Sequence, residues 1–150
     1  MSVLSSWQVA EAPLTDEQVT EAVEAALNHG GRPGIGIEVV FVDDPTLTDL
    51  HQRALNDPTP TDVITFDLGE DGGGPAGELY VSVDCARREA QRRDMPVARE
   101  LALYLVHGAL HLCGYDDHED DERARMRVAE REVLAQLGYP DDSTPHDIES

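Results

Sequence analysis

The stretch LALYLVHGALHLCGY, residues 101–115, constrains the fold more than any other part of the chain. Together with the preceding VARE it reads as one helix over residues 97–113. From Leu101 onward this helix is apolar nearly all round, and a helix of that kind is buried on every side. Other elements must therefore be arranged around it. Its fifteen uncharged residues are too few to span a membrane, which takes about 20. Gly114 is placed to end the helix.

The remaining sequence predicts a small sheet and the helices that cover it. VLSSWQV reads as a short first strand, and IGIEVVFV alternates at Ile35, Ile37, Val39 and Phe41 as a half-buried strand does. Between them Thr15 can cap a helix reaching about His29. Its apolar stripe is Val19, Ala22, Val23, Ala26 and Leu27, and Gly30 and Gly31 stop it. DDPT reads as a turn, PTLTDLHQRAL as a short helix, and DVITF and ELYVSV as further strands. GEDGGGPAGE, with five glycines in ten residues, reads as a loop; no lysine follows and no helix opens on it, so it is not a phosphate-binding loop. Asp84 can cap an arginine-bearing helix that Pro96 ends or kinks, and a last helix runs over residues 119–137. Strands first and helices later predict an α+β domain over residues 1–139, with an acidic, disordered tail over residues 140–150.

Composition narrows the function. The net charge of -20 opposes indiscriminate nucleic-acid binding, because phosphates meet a repulsive average field. All eleven basic residues are arginine, and Arg87, Arg88, Arg92 and Arg93 are grouped, so a locally basic surface is expected. At 100° per residue Arg88, Arg92 and Arg99 fall within about 40° of one another. Such a face is more often solvated and paired with glutamates than used for phosphate steering. Two cysteines, Cys85 and Cys113, in unrelated contexts, and no leader-like apolar start, favour a reducing cytoplasm.

The two histidines carry the chemistry. His107 and His111 lie four apart, so both can offer a ring nitrogen to one ion from one helix face. Unpartnered imidazoles would be costly on so apolar a helix. A left-handed Gly114 would turn the chain back and bring Asp117 and His118 into reach. Two helical ligands and a returning third leave one coordination position open, which is the pattern of catalytic zinc. Gly108 stands where a zinc protease of the HExxH kind has its glutamate base, which argues against peptide hydrolysis. Three residues past Gly114 is Asp117, the position of the third ligand in the related HExxHxxGxxH pattern. Spacing therefore favours Asp117, and residue type alone favours His118.

HGALHLCGYDD resembles the HGxLHLxGYDH signature of the YbeY-type endoribonucleases. PTDVITF resembles that family's PTDVLSF and GELYVS its GDIxIS. EDDE, Met126 and the late LGY also fit. The resemblance spans about residues 3–139. It implies a small mixed sheet packed with helices, with a zincin-like metal site at the end of a buried helix. It further implies one zinc ion per chain and cleavage of single-stranded RNA in 16S rRNA 3′-end maturation and ribosome quality control, with the small ribosomal subunit as partner. The family's third histidine aligns to Asp117, and an arginine that many members carry before PTDV aligns to Leu55. Its RNA-handling role would then pass to another residue such as Arg53. No general acid or base is assigned. A non-catalytic ribosome-assembly factor with a structural metal is the alternative.

Overall fold

The computed structural model describes residues 3–55, 62–69 and 72–141. In chain order the elements are β1 (Val3–Trp7), α1 (Asp16–Gly30), β2 (Ile37–Val42), α2 (Asp44–Leu55), β3 (Val63–Asp67), β4 (Gly77–Ser82), α3 (Val83–Arg93), α4 (Val97–Leu112) and α5 (Asp120–Gln136). The sheet order is β1-β2-β4-β3. β1, β2 and β4 run parallel and β3 runs antiparallel to β4. The expected α+β class with a small mixed sheet is what the chain adopts.

Local chemistry sets several of these boundaries. The Thr15 side chain accepts from the Gln18 amide while the Gln18 side chain accepts from that of Thr15, a reciprocal cap on α1. Gly31, at φ 85°, closes the other end in the left-handed region that glycine enters without strain. The DDPT segment is not a free turn. Asp43 accepts from the Thr46 amide and Pro45 fits the first helical turn, so the segment starts α2. β4 runs straight into α3, and Ser82 rather than Asp84 caps that helix, accepting from the Cys85 amide. Asp84 accepts from the Asp44 amide instead and joins α3 to the start of α2. The tail expected to be disordered lies outside the described residues from residue 142 onward. At the start of that tail, however, the Pro140 carbonyl accepts from Arg99 at 2.8 Å, which ties this residue to α4.

α4 is the centre of the molecule. Thirteen of its sixteen residues are buried, and it packs on α1, α3, α5 and one face of the sheet. That face supplies Ile37, Val39, Phe41, Val63, Leu79 and Val81, which share one core with the α4 leucines. The opposite face is covered by α2 through a smaller cluster of Val40, Val42, Leu47 and Ile64. Burying each of the five α4 leucines is worth roughly 1.5–3 kcal/mol. One unsatisfied buried polar group costs about 1–3 kcal/mol. The helix can therefore carry histidines inward only because the leucines outweigh them and the rings find partners.

Gly108 is where α4 touches the sheet. A Cβ added there would lie 2.7 Å from Leu79 Cδ2 and 3.1 Å from Thr65 Oγ1, and Leu79 is fully buried. A larger residue would have to displace the buried Leu79 side chain and crowd Thr65. The absence of a glutamate at this position is thus a packing requirement as well as a chemical fact. Gly108→Glu is expected to destabilise the fold by about 3 kcal/mol or more, through overpacking and a buried carboxylate. Urea or thermal unfolding checks this, and a protein as stable as the parent would refute it.

Candidate metal centre

The site is assembled from α4, the turn after it and α5. α4 places His107 and His111 on one face, with their Nε2 atoms 3.1 Å apart. At its end the Gly114 amide bonds the His111 carbonyl and the Tyr115 amide bonds that of Leu110. Gly114 has φ 98°, so the chain reverses there as only glycine does readily. The reversal delivers the Asp117 carboxylate, with Oδ2 3.6 Å from His107 Nε2 and Oδ1 3.7 Å from His111 Nε2. In the turn the Asp117 amide donates to the Asp116 side chain.

These separations suit a metal ion. Tetrahedral zinc with bonds near 2.0–2.1 Å places its ligand atoms about 3.3 Å apart; the two Nε2 atoms, and each of them with one oxygen of the Asp117 carboxylate, lie within a few tenths of an ångström of that separation. His111 is held below the ordinary imidazole range, first by burial and then by the neighbouring His107, with Asp117 pulling the other way. A neutral ring is the form that ligates. His107, His111 and Asp117 thus form a group able to hold one metal ion.

His118 stands apart from this group. Its side chain is 81% exposed and lies against Asp116, with Nε2 3.3 Å from Oδ1. Asp116, Asp117 and His118 also come within ligating distance of one another, but on the outer side of the turn. The acidic run that continues into Asp120, Asp121 and Glu122 forms the first turn of α5, where carboxylates favour the helix dipole.

Glu130 was not among the residues that the sequence singled out. Its carboxylate lies 2.6 Å from His107 Nδ1, and its other oxygen accepts from Arg127. The signal was present: Met126, Ala129, Glu130, Val133 and Leu134 are the buried side of α5, and an acid on an apolar stripe needs a partner. Asp62, in the PTDVITF segment, is nearly buried and accepts from the Cys85 thiol at 2.6 Å. Burial, and then the Asp62 charge, raise that thiol's pKa, so the pair ties the start of β3 to α3. The residues between Leu55 and Asp62 lie outside the described residues, as does His146. His51 is buried, and His29 lies 3.5 Å from Glu132.

The three arginines expected on one face do not share one. Asp94, left-handed at φ 56°, ends α3, and α4 begins only after Pro96, so a helical count from 88 to 99 crosses a break. Arg99 is buried, bonded to Pro140 and 3.5 Å from Glu100. Arg88 and Arg92 are exposed, paired with Asp44 and with Glu89. Arg53 is exposed and paired with Asp49 at 2.7 Å. Cys113 packs toward Gly30, away from the histidines.

Asp117, and not His118, lies within ligating distance of both His107 and His111. Asp117→Ala is expected to lower bound metal well below one equivalent per chain, while His118→Ala retains it. Elemental analysis of the two purified variants checks this; the reverse pattern would move the third ligand to His118.

Comparison with known proteins identifies the relatives of the chain. The profile of the family described as Endoribonuclease YbeY matches residues 6–138. The chain is 34% identical over 121 residues to the Endoribonuclease YbeY of Carboxydothermus hydrogenoformans, covering 80% of this chain and 84% of that one. To the Paracoccus denitrificans protein of the same name it is 31% identical over 153 residues, covering 94% and 86%. The solution structure of TM1509 from Thermotoga maritima superposes with a TM-score of 0.59 at 21% identity, over 95% of this chain and 99% of that one, and shares the fold. By profile and by relatives, the chain belongs to the Endoribonuclease YbeY family.

Proposed function

We propose that this protein is a zinc-dependent endoribonuclease that cuts single-stranded RNA, with His107, His111 and Asp117 holding one zinc ion. The observation that carries this reading is the convergence of two imidazole nitrogens and a carboxylate at separations of 3.1, 3.6 and 3.7 Å in a chain of the YbeY family. Bound there, a divalent metal supplies a Lewis acid for a phosphoryl oxygen and lowers the pKa of a water molecule. The protein's own part is to hold three donors on one side and leave the remaining position open to substrate. The RNA acted on would be 16S rRNA near its 3′ end, on or near the small ribosomal subunit, in the cytoplasm. No helix among the described residues is long and apolar enough to cross a membrane.

Gly108 removes the residue that serves as base in HExxH proteases, and its Cβ direction points to the sheet rather than into the site. That supports phosphodiester over peptide hydrolysis. The carboxylate at Asp117, where relatives of the signature carry histidine, supports a second reading, an assembly factor whose metal is structural. One assay distinguishes them. Purified protein should cut a single-stranded RNA, lose that activity with a chelator, regain it with zinc, and leave casein intact. A His111→Ala variant should be inactive. Casein cleavage with RNA untouched would reverse the assignment, and loss of both in zinc-loaded protein would favour the assembly factor.

Metal removal should also be visible without activity. A ligand that binds only the folded chain stabilises it by about 4 kcal/mol at a thousand times its dissociation constant, so chelation is expected to lower Tm by several degrees. Unchanged melting would argue against a tightly held ion. Arg53, Arg88 and Arg92 remain exposed candidates for phosphate contact, the last two four apart on α3. Reversing the charges of Arg88 and Arg92 should weaken RNA binding and flatten its salt dependence, and an unchanged salt slope would leave them as partners of Asp44 and Glu89 alone.

A further inference from the structure

Among the described residues Glu130 is one of the few buried acids, 3% exposed on the apolar side of α5. A carboxylate in such a place persists only when its oxygens are matched by donors. Both of them are: one lies 2.6 Å from His107 Nδ1, and the other accepts from the Arg127 guanidinium. A carboxylate can only accept, so the His107 ring proton sits on Nδ1 and Nε2 carries the lone pair. Nε2 is the atom that faces His111 and Asp117. His107 is fully buried, so water offers no alternative partner that could hold the ring in this state.

We propose that Glu130 is the positioning residue of the metal centre and that Arg127 clamps it. Glu130 fixes the tautomer and the rotation of His107, and Arg127 balances its charge and holds the other oxygen. The proposal rests on the reading that His107, His111 and Asp117 bind a metal. It goes further in assigning the control of affinity to two residues of α5 that ligate nothing. The clamp is local to this helix, since Arg127 and Glu130 are three apart on one face. Arg127 is mostly buried, 21% exposed at its side chain, which limits competition from solvent.

The test is zinc binding to the metal-free full chain, by competition with a chromophoric chelator, together with nitrogen-15 NMR of the histidine rings. Glu130→Leu is expected to weaken zinc binding by about 10- to 100-fold and to mix the His107 tautomers. Glu130→Gln keeps an acceptor for Nδ1 and should stay within about tenfold of the parent. Arg127→Met is the second variant, informative even if Glu130→Leu does not fold, and should weaken binding several-fold. If Glu130→Leu or Arg127→Met binds zinc as the parent does and the His107 tautomer is unchanged, the proposal is overturned while the metal reading stands. A parent that binds no zinc overturns the metal reading, and this proposal with it.

Discussion

The burial of α4 is the constraint from which the rest of the structure follows. A helix apolar on all sides needs cover on all sides, and the chain provides it with a sheet face, α1, α3 and α5. Close approach to the sheet then demands a residue without a side chain at Gly108, and another at Gly77, where a Cβ would lie 2.6 Å from Leu112. Because the helix is enclosed, any polar group on it must be satisfied within the protein. His107 is, through Glu130. The same enclosure that stabilises the fold thus sets two imidazoles side by side in a partly dehydrated place.

Much of this was legible in the residues, and what was not has physical causes. α1, with its Thr15 cap and Gly31 stop, and α4, with its continuous apolar run, are local patterns that no tertiary context had to reinterpret. The triad of His107, His111 and Asp117 could be anticipated because helical spacing and one glycine turn fix its geometry. α2 was legible from Pro45 onward, and the Asp43 to Thr46 bond draws one more residue, Asp44, into its first turn. Arg99 was misplaced because helical phase was carried across Asp94, a left-handed residue that is not glycine. Glu130 was missed because its meaning depends on a residue twenty-three positions away. Nor did periodicity reveal that β3 runs against β4 while its neighbours run parallel.

The charge of the chain also takes a different meaning once the structure is known. The acidic run after the signature is divided by the turn: Asp117 faces the histidines, Asp116 organises the turn, and Asp120 to Glu122 occupy the α5 start. Arg123 and Arg127 are engaged by acids of the same helix, Asp120 and Glu130. A formal net charge of -20 is therefore not a uniform field. It is a set of locally balanced pairs with an excess elsewhere.

The turn at Gly114 has a consequence for how the molecule is built. His107, His111, Asp117 and Glu130 all belong to one helix–turn–helix unit of α4 and α5, closed by a single reversal. The parallel pairing of β2 with β4, by contrast, joins Ile37 to Gly77 across a long excursion of chain. Contacts between residues near in sequence cost less chain entropy to form than contacts between distant ones. The contacts of the centre therefore close over shorter stretches of chain than the parallel pairing of the sheet does. Within that hairpin α4 rests on the sheet, while α5 packs on α4 and α1.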